Sequence, residues 1–206
     1  MTAGRPRGVV FDLGGVIFES PLVRIARFER QVGLESQTVA HVISENGPDG
    51  SWERFERGEL SRSEFLDEFA GEFRTAGIEV DTGALLDAIE SALEARPAML
   101  EAVDRLRGEG RAVAALTNNW SPMGHLPLAG HFDVFVESVV EGVRKPDPEI
   151  YRRTIDRLGL EPEETAMLDD LGENLKTAQA LGMTTFKVVD ESSALRWLEH
   201  TFGWDR

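Results

Sequence analysis

The chain has 206 residues, a length that suits one domain with an insertion or two small domains. Its 22 basic and 37 acidic residues give a formal net charge of -15, and a surface this acidic repels nucleic acids and anionic membranes. Because 41% of the residues are hydrophobic, most of the chain is predicted to fold around a core. There is no cysteine, which excludes disulfides, thiolate metal sites and cysteine nucleophiles and leaves carboxylates as the main candidates for chemistry.

The N-terminal residues resemble a signal peptide only superficially. Arg5 and Arg7 precede an apolar run, but Asp12 interrupts it. No run of about eighteen apolar residues is present, so no transmembrane helix is predicted. We therefore expect a soluble, cytoplasmic protein, a monomer or homodimer, that binds neither membranes nor nucleic acids.

A single strand is predicted first, followed by a block of helices. Residues 9–11 are β-branched or aromatic and stop at Asp12, which is typical of a buried strand that ends in a loop. Helical spacing then extends from Ser20 to Arg107. Its start and stop signals are Ser20-Pro21 with Gly33, Ser36 with Gly47-Pro48, the capping box of Ser61 and Glu64, Asp81, and Pro97. The predicted inward positions are Phe65, Leu66, Phe69 and Phe73, then Leu85, Leu86, Ile89 and Leu93, then Met99, Leu100, Val103 and Leu106.

After Gly110, strands and helices alternate. The predicted strands are 111–117, 134–139, 165–169 and 184–189, and the predicted helices are 149–158, 173–181 and 192–200. Such alternation implies right-handed crossovers and a parallel sheet. We therefore predict an α/β fold: a Rossmann-like parallel sheet core formed by residues 1–18 and 97–206, with an all-helical cap, residues 19–96, inserted after the first strand.

Polar residues gather where the predicted strands end. They are Asp12, the sequence Thr117-Asn118-Asn119, and the pair Asp169-Asp170; the sequence Arg144-Lys145-Pro146-Asp147-Pro148 follows another strand. Ligands of open parallel sheets bind in the crevice outside the carboxyl ends of the strands. Converging carboxylates repel one another unless a hard cation neutralises them, and Mg²⁺ with oxygen ligands fits best.

These residue types are the ones that phosphoryl transfer needs. A carboxylate such as Asp12 can attack phosphorus in line, while a metal, an ammonium group and a hydroxyl or amide share the charge of the equatorial oxygens. Lys145, Thr117 and Asn118 supply those groups.

Four ordered motifs carry a family resemblance. They are Val10-Phe11-Asp12-Leu13-Gly14-Gly15-Val16, Leu116-Thr117-Asn118-Asn119, Arg144-Lys145-Pro146-Asp147-Pro148, and Leu168-Asp169-Asp170 with Asn174. Together they resemble the motifs of the haloacid dehalogenase (HAD) superfamily, and the helical insertion lies where that superfamily has its type-one cap. Residues 131–183 are similar to the N-terminal phosphatase-like domain of soluble epoxide hydrolases.

The resemblance implies a role for each motif residue. Asp12 is the nucleophile that forms an aspartyl-phosphate, and Lys145 bridges Asp12 and the phosphate. Thr117, helped by Asn118, holds a phosphoryl oxygen. The implied metal ligands are Asp12, the backbone carbonyl of Gly14, Asp170 and, as an accessory, Asp169, with Asn174 orienting the metal site.

The chain departs from this pattern at Gly14. Phosphatases of the superfamily usually carry an aspartate there, whose backbone carbonyl binds the metal and whose side chain is the general acid and base. Glycine keeps the first role and loses the second. Because general acid–base help is typically worth about 10²- to 10⁴-fold in rate, poor leaving groups should suffer most.

Three functions remain open on the sequence. The first is a Mg²⁺-dependent phosphatase, slow or selective, that acts on a small phosphorylated metabolite. The second is a non-catalytic module that binds phosphate and metal. The third is a metal-independent haloacid dehalogenase, which needs no leaving-group acid because halide departs unaided. Asp169-Asp170 argues against the third, since dehalogenases replace these acids. Trp120 is a candidate for substrate specificity, because it directly follows the second motif.

Overall fold

The computed structural model describes residues 5–91 and 94–204. One sheet contains five strands, all parallel, in the order β3-β2-β1-β4-β5. The strands are β1 (Gly8–Phe11), β2 (Ala112–Thr117), β3 (Val134–Glu137), β4 (Thr165–Asp169) and β5 (Thr184–Lys187). The helices are α1 (Pro21–Val32), α2 (Thr38–Asn46), α3 (Ser51–Glu56), α4 (Arg62–Thr75), α5 (Thr82–Glu90), α6 (Pro97–Gly108), α7 (Ser138–Glu141), α8 (Pro148–Leu158), α9 (Gly172–Leu181) and α10 (Glu191–Phe202). The predicted Rossmann-like α/β fold is confirmed.

The central strand β1 is apolar on both faces because the sheet lies between two layers of helices. Successive side chains of a strand point to opposite faces. Val9 and Phe11 belong to a buried cluster with residues of α6 and α10. Val10 belongs to a second cluster with residues of α8 and α9. The sheet and α6–α10 are called the core below.

Helices α1–α5, called the cap below, enclose a separate apolar cluster. Phe65, Phe69 and Phe73 of α4 lie along one face and are almost fully buried. The predicted capping box of Ser61 and Glu64 begins this helix. The predicted inward position Leu93 lies outside the described residues. Since the clusters of cap and core are distinct, we propose the boundaries 1–18 and 97–206 for the core and 19–96 for the cap.

Several element boundaries differ from the prediction by one or two residues. Helix α2 begins at Thr38 rather than Ser36, because the buried Glu29 carboxylate accepts hydrogen bonds from the backbone nitrogens of Gln37 and Val39. Strand β3 ends at Glu137 rather than Val139, where the chain turns into α7 against the cap.

The end of β5 also differs from the prediction. The strand stops at Lys187, two residues earlier than predicted. Val188 still packs in the core cluster, whereas Val189 is exposed. The strand was predicted too long because the two residues after its end, Val188 and Val189, are apolar and β-branched like the residues of a strand.

Cap and core meet closely along the β2–β3 side. The Ser138 hydroxyl donates to the backbone oxygen of Glu56 at 2.6 Å. Trp120, which follows β2, packs into the cap cluster beside Trp52 and Phe55, with ring centroids 5.6 and 5.8 Å away. The Arg96 guanidinium, at the start of α6, donates to the backbone oxygens of residues 15 and 16 and so joins the two segments through which the chain enters and leaves the cap.

Of the helices that the structure describes, none has both the length and the apolar character needed to cross a bilayer.

Gly58 marks a close approach of cap to core and supplies a stability test. Its φ is +71°, and a Cβ there would lie 2.7 Å from the backbone oxygen of Val139. Gly33 has a φ of +76°, and a Cβ at that position would meet no atom within 4 Å, so Gly33→Ala measures backbone strain alone. We expect Gly33→Ala to cost about 1–2 kcal/mol, and Gly58→Ala to cost about 1–3 kcal/mol more, in urea unfolding. Equal losses would contradict this cap–core contact.

Candidate active site

Asp12 lies at the centre of the carboxyl edge of the sheet. It directly follows β1, the middle strand, and its backbone nitrogen donates to the oxygen of Leu168 at 2.9 Å. Its carboxylate is buried, and Oδ1 accepts a hydrogen bond from the backbone nitrogen of Leu13 at 2.7 Å. Because β2 and β4 flank β1, polar residues at the ends of those strands converge on Asp12.

The buried ammonium group of Lys145 lies between the carboxylates of Asp12 and Asp169. Lys145 Nζ lies 2.9 Å from Oδ1 of Asp12 and 2.8 Å from Oδ2 of Asp169. Lys145 is only 1% exposed and Asp169 is fully buried. The structure therefore brings the predicted nucleophile and the predicted bridging lysine into direct contact.

Asn118 holds Lys145 in place. Its side-chain oxygen accepts from the backbone nitrogen of Lys145 at 2.9 Å, and its amide nitrogen donates to the backbone oxygen of Lys145 at 3.0 Å. The neighbouring Thr117 is buried at the end of β2. Both residues lie at the predicted edge, and their contact with a phosphate stays a prediction.

Asp170 completes a group of three acids. One carboxylate oxygen each of Asp12, Asp169 and Asp170 lie within 4.8 Å of one another. Three carboxylates against one ammonium leave two excess negative charges when all are ionised, and a divalent cation with oxygen ligands would balance them. This donor set therefore fits a hard divalent metal.

The two oxygens of Asp169 are already used inside the protein. Oδ2 accepts from Lys145, and Oδ1 accepts from the backbone nitrogen of Leu171 at 2.8 Å. Asn174 donates to both oxygens at 3.0 and 3.1 Å. These contacts leave Asp12 and Asp170 as the more available ligands, in keeping with an accessory role for Asp169.

Burial shifts the pKa values of the site. It raises the pKa of the Asp12 carboxyl well above its usual range, and Lys145 opposes that shift. Burial likewise raises the pKa of Asp170, against a hydrogen bond from Ser20. Burial alone would lower the pKa of Lys145, but the carboxylates of Asp12 and Asp169 outweigh it, and the pKa is raised. The ammonium is therefore charged at neutral pH.

Sequence reasoning missed two residues around Asp170. The Ser20 hydroxyl donates to Oδ2 of Asp170 at 2.7 Å instead of capping α1, as the Ser20-Pro21 signal suggested. Gly15 has a φ of +74°, and a side chain there would collide with the Asp170 carboxylate. Neither contact has a local sequence signal, because both join segments about 150 residues apart.

A third missed residue is Tyr151. Its buried hydroxyl donates to the backbone oxygen of Asn174 at 2.9 Å. It thereby fixes the segment whose Asn174 side chain holds Asp169. The sequence predicted a helix over residues 149–158 but no polar contact of this side chain.

Residue 14 is glycine, so it offers no carboxyl group where the phosphatases that the motifs resemble usually have an aspartate. A Cβ there would lie 3.0 Å from Cδ of Pro21, a tight contact at the start of α1. The specificity candidate Trp120 and the motif residue Arg144 both contact the cap. Arg144 pairs with Glu56 at 2.6 Å, and Trp120 donates to Glu90 at 2.7 Å.

Comparison with known proteins defines the family. The model described as haloacid dehalogenase-like hydrolase matches residues 6–182, which is most of the chain. The protein therefore belongs to the haloacid dehalogenase-like hydrolases, as the motifs predicted.

Several proteins are similar over almost the whole chain. Acyl-CoA dehydrogenase family member 10 of Mus musculus is 38% identical over 205 residues, 96% of this chain and 19% of that protein. Bifunctional epoxide hydrolase 2 of Sus scrofa is 34% identical over 215 residues, 96% of this chain and 39% of that protein. The chain thus spans well under half the length of these two relatives.

A third relative has the same extent as this chain. A sesquiterpene phosphatase of Aspergillus oryzae is 29% identical over 203 residues, and the match covers 96% of this chain and 97% of that protein. Among solved structures, a HAD family enzyme of Bacteroides thetaiotaomicron in a magnesium complex is 25% identical with a TM-score of 0.67, covering 93% of this chain and 98% of its own.

The buried Lys145 supplies a test of the electrostatics. Lys145→Met should cost about 3–5 kcal/mol of unfolding free energy at neutral pH, because Asp12 and Asp169 would be left without their counterion. Its loss also raises the pKa of Asp12 further above the unfolded value, so the variant should recover stability as the pH falls. Urea unfolding at about pH 8 and about pH 5 measures both effects.

Lys176, which is exposed on α9, is the matched control. Lys176→Met should change stability by less than about 0.5 kcal/mol at either pH. A Lys145→Met variant as stable as this control would show that the ammonium does not hold the two carboxylates together.

Proposed function

We propose that this protein is a Mg²⁺-dependent phosphoric monoester hydrolase that acts on a small phosphorylated metabolite through an aspartyl-phosphate on Asp12. The observation that carries the proposal is the contact of Lys145 with Asp12 at 2.9 Å, beside the group formed by Asp12, Asp169 and Asp170. The sesquiterpene phosphatase and the magnesium complex among the similar proteins support the reaction and the metal.

Asp12 acts as the nucleophile. Its carboxylate lies at the end of the central strand, held by the backbone nitrogen of Leu13 so that one oxygen has a fixed direction. Lys145 stabilises the charged form of Asp12 and attracts the incoming phosphate, which the net charge of -15 would otherwise repel. Thr117 and Asn118 lie at the end of the neighbouring strand β2, where they can bind a phosphoryl oxygen.

Asp12 and Asp170, with the backbone carbonyl of Gly14, would hold the metal. When bound, Mg²⁺ supplies charge stabilisation to the phosphoryl oxygens and reduces the repulsion between phosphate and carboxylates. Ser20 orients Asp170 through its hydroxyl, and Asn174 orients Asp169.

Gly14 makes the enzyme slow or selective. Its backbone can serve the metal, but it has no proton to give to a leaving alcohol. A non-catalytic binding role is the main alternative, and it predicts phosphate binding without turnover. A dehalogenase is less well supported, because Asp169 and Asp170 are both present and Asp169 is tied to the lysine.

The reaction is tested with 4-nitrophenyl phosphate, whose leaving group needs no acid. Wild-type protein should release phosphate in the presence of MgCl₂, and Asp12→Asn should reduce release to the background rate because the nucleophile is lost. Asp104→Asn, an exposed position on α6, is the control and should keep full activity. Absence of release by the wild type, or chloride release from 2-chloropropionate without Mg²⁺, would contradict the proposed reaction.

Metal binding is tested without turnover, by thermal unfolding. At about 100 times its Kd, Mg²⁺ should stabilise the wild type by about 2.7 kcal/mol. Asp170→Asn should abolish most of this gain, whereas Asp67→Asn, exposed on α4, should keep it. If Asp170→Asn gains as much from Mg²⁺ as the wild type, then Asp170 is not a ligand.

A further inference from the structure

Residues 13–20, called the entry segment below, lead the chain from the candidate nucleophile into the cap. The backbone nitrogens of residues 16–18 all donate to the backbone oxygen of Leu13, and these three residues are buried in the core. Ser20 ends the segment directly before α1. Its hydroxyl donates to Oδ2 of Asp170 at 2.7 Å. The entrance to the cap therefore contacts one of the three acids that fit a metal.

This contact is distinctive among the three acids. Asp12 and Asp169 have the Lys145 ammonium as a partner, whereas Asp170 receives its one side-chain hydrogen bond within residues 5–91 and 94–204 from Ser20. Gly15, at the other end of the entry segment, lies so close that a side chain there would collide with the Asp170 carboxylate. The entry segment thus confines Asp170 from two positions.

Helix α1 does not use the Ser20 hydroxyl. A serine that precedes a helix normally accepts a hydrogen bond from a backbone nitrogen of the first turn. Ser20 makes no such bond, and the first helical residue is Pro21, which has no backbone N–H to be satisfied. Ser20→Ala therefore removes the contact with Asp170 without removing a helix cap.

The entry segment is also bonded to the segment through which the chain leaves the cap. Arg96 donates from its guanidinium to the backbone oxygens of residues 15 and 16, at 2.8 and 3.1 Å. Its backbone nitrogen donates to the oxygen of Ile17 at 2.8 Å. Both connections between core and cap are therefore held together beside Asp170.

We propose that Ser20 is a positioning residue that couples the metal site to the cap. Its hydroxyl fixes the direction of the Asp170 carboxylate, so that a metal meets a ligand that is already oriented. Hydrogen-bond partners of metal ligands typically contribute about 10- to 100-fold to metal affinity. Because such coupling is reciprocal, a metal that fixes Asp170 also fixes Ser20 and the start of α1.

The proposal rests on the metal binding of the proposed function and adds a consequence for the cap. Mg²⁺ binding to the whole chain, measured by isothermal titration calorimetry, tests the first half. Ser20→Ala should raise the Kd for Mg²⁺ about 10-fold, because Asp170 loses the group that orients it. Ser20→Thr keeps a hydroxyl at the same position and should bind Mg²⁺ like the wild type.

Ser44→Ala is the matched control. Ser44 is an exposed serine of the cap, and its hydroxyl donates to the backbone oxygen of His41 in its own helix. This variant should keep the wild-type Kd. If Ser20→Ala binds Mg²⁺ as tightly as the wild type, or if Ser20→Thr is as weak as Ser20→Ala, then the hydroxyl does not position Asp170 and the proposal is overturned.

The reciprocal effect is measured by amide hydrogen exchange with mass spectrometry. In the wild type, saturating Mg²⁺ should slow the exchange of residues 19–24 about 10-fold, the same factor by which Ser20 changes the affinity. In Ser20→Ala saturated with Mg²⁺ this slowing should be largely lost. Residues 62–75 of α4 are the internal reference and should not change. Equal exchange of residues 19–24 with and without Mg²⁺ in the wild type would overturn the coupling.

Failure of this inference and failure of the proposed function give different results. If the wild type binds Mg²⁺ and Ser20→Ala binds it equally well, only the inference fails. If the wild type binds no Mg²⁺, the proposed metal site fails and the inference fails with it. If Mg²⁺ binding and exchange behave as expected but no phosphate is released from 4-nitrophenyl phosphate, the coupling is supported and the proposed reaction is not.

Discussion

The buried ammonium of Lys145 is the contact on which the site depends. Asp12 and Asp169 end adjacent strands of one parallel sheet, so the fold itself forces two carboxylates together in a buried place. Burial and mutual repulsion would make both ionised forms unfavourable, and a cation between them removes that conflict. The segment after β3 delivers the cation, and Asn118 fixes that segment at the end of β2. The charge balance at the ends of β1 and β4 therefore depends on one nitrogen atom, Nζ of Lys145.

The same balance of charges would govern how the proposed phosphate substrate is attracted. The whole chain carries a net charge of -15, so long-range forces oppose an anionic substrate. Arg144, the other basic group of its segment, already pairs with Glu56 of the cap at 2.6 Å. In the proposed reaction, attraction of the phosphate would then be left to Lys145 and to a divalent ion held at Asp170. Metal binding and substrate binding should accordingly be strongly coupled.

Much of the fold was predictable because strand ends and helix caps are local features. The end of β4 at Asp169 and the capping box at Ser61 follow from adjacent residues. Most of what failed or was missed depends on side-chain contacts between different elements. The Ser20 hydroxyl donates to Asp170, 150 residues away, rather than to its own helix, and Glu29 of the preceding helix sets the start of α2. The motifs named the acids and the lysine, but no spacing rule reveals that Arg144 faces the cap.

The way the cap is attached decides what it can contribute to chemistry. Trp120 packs inside the cap cluster, Ser138 bonds to the end of α3, and Gly58 lies against Val139 with no room for a side chain. These contacts all lie on the β2–β3 side, so α3 is held there by the segments that follow β2 and β3 at the carboxyl edge of the sheet. The segment after β3 also carries Lys145, whose ammonium contacts Asp12. The attachment of the cap and the position of that ammonium therefore depend on the same part of the chain.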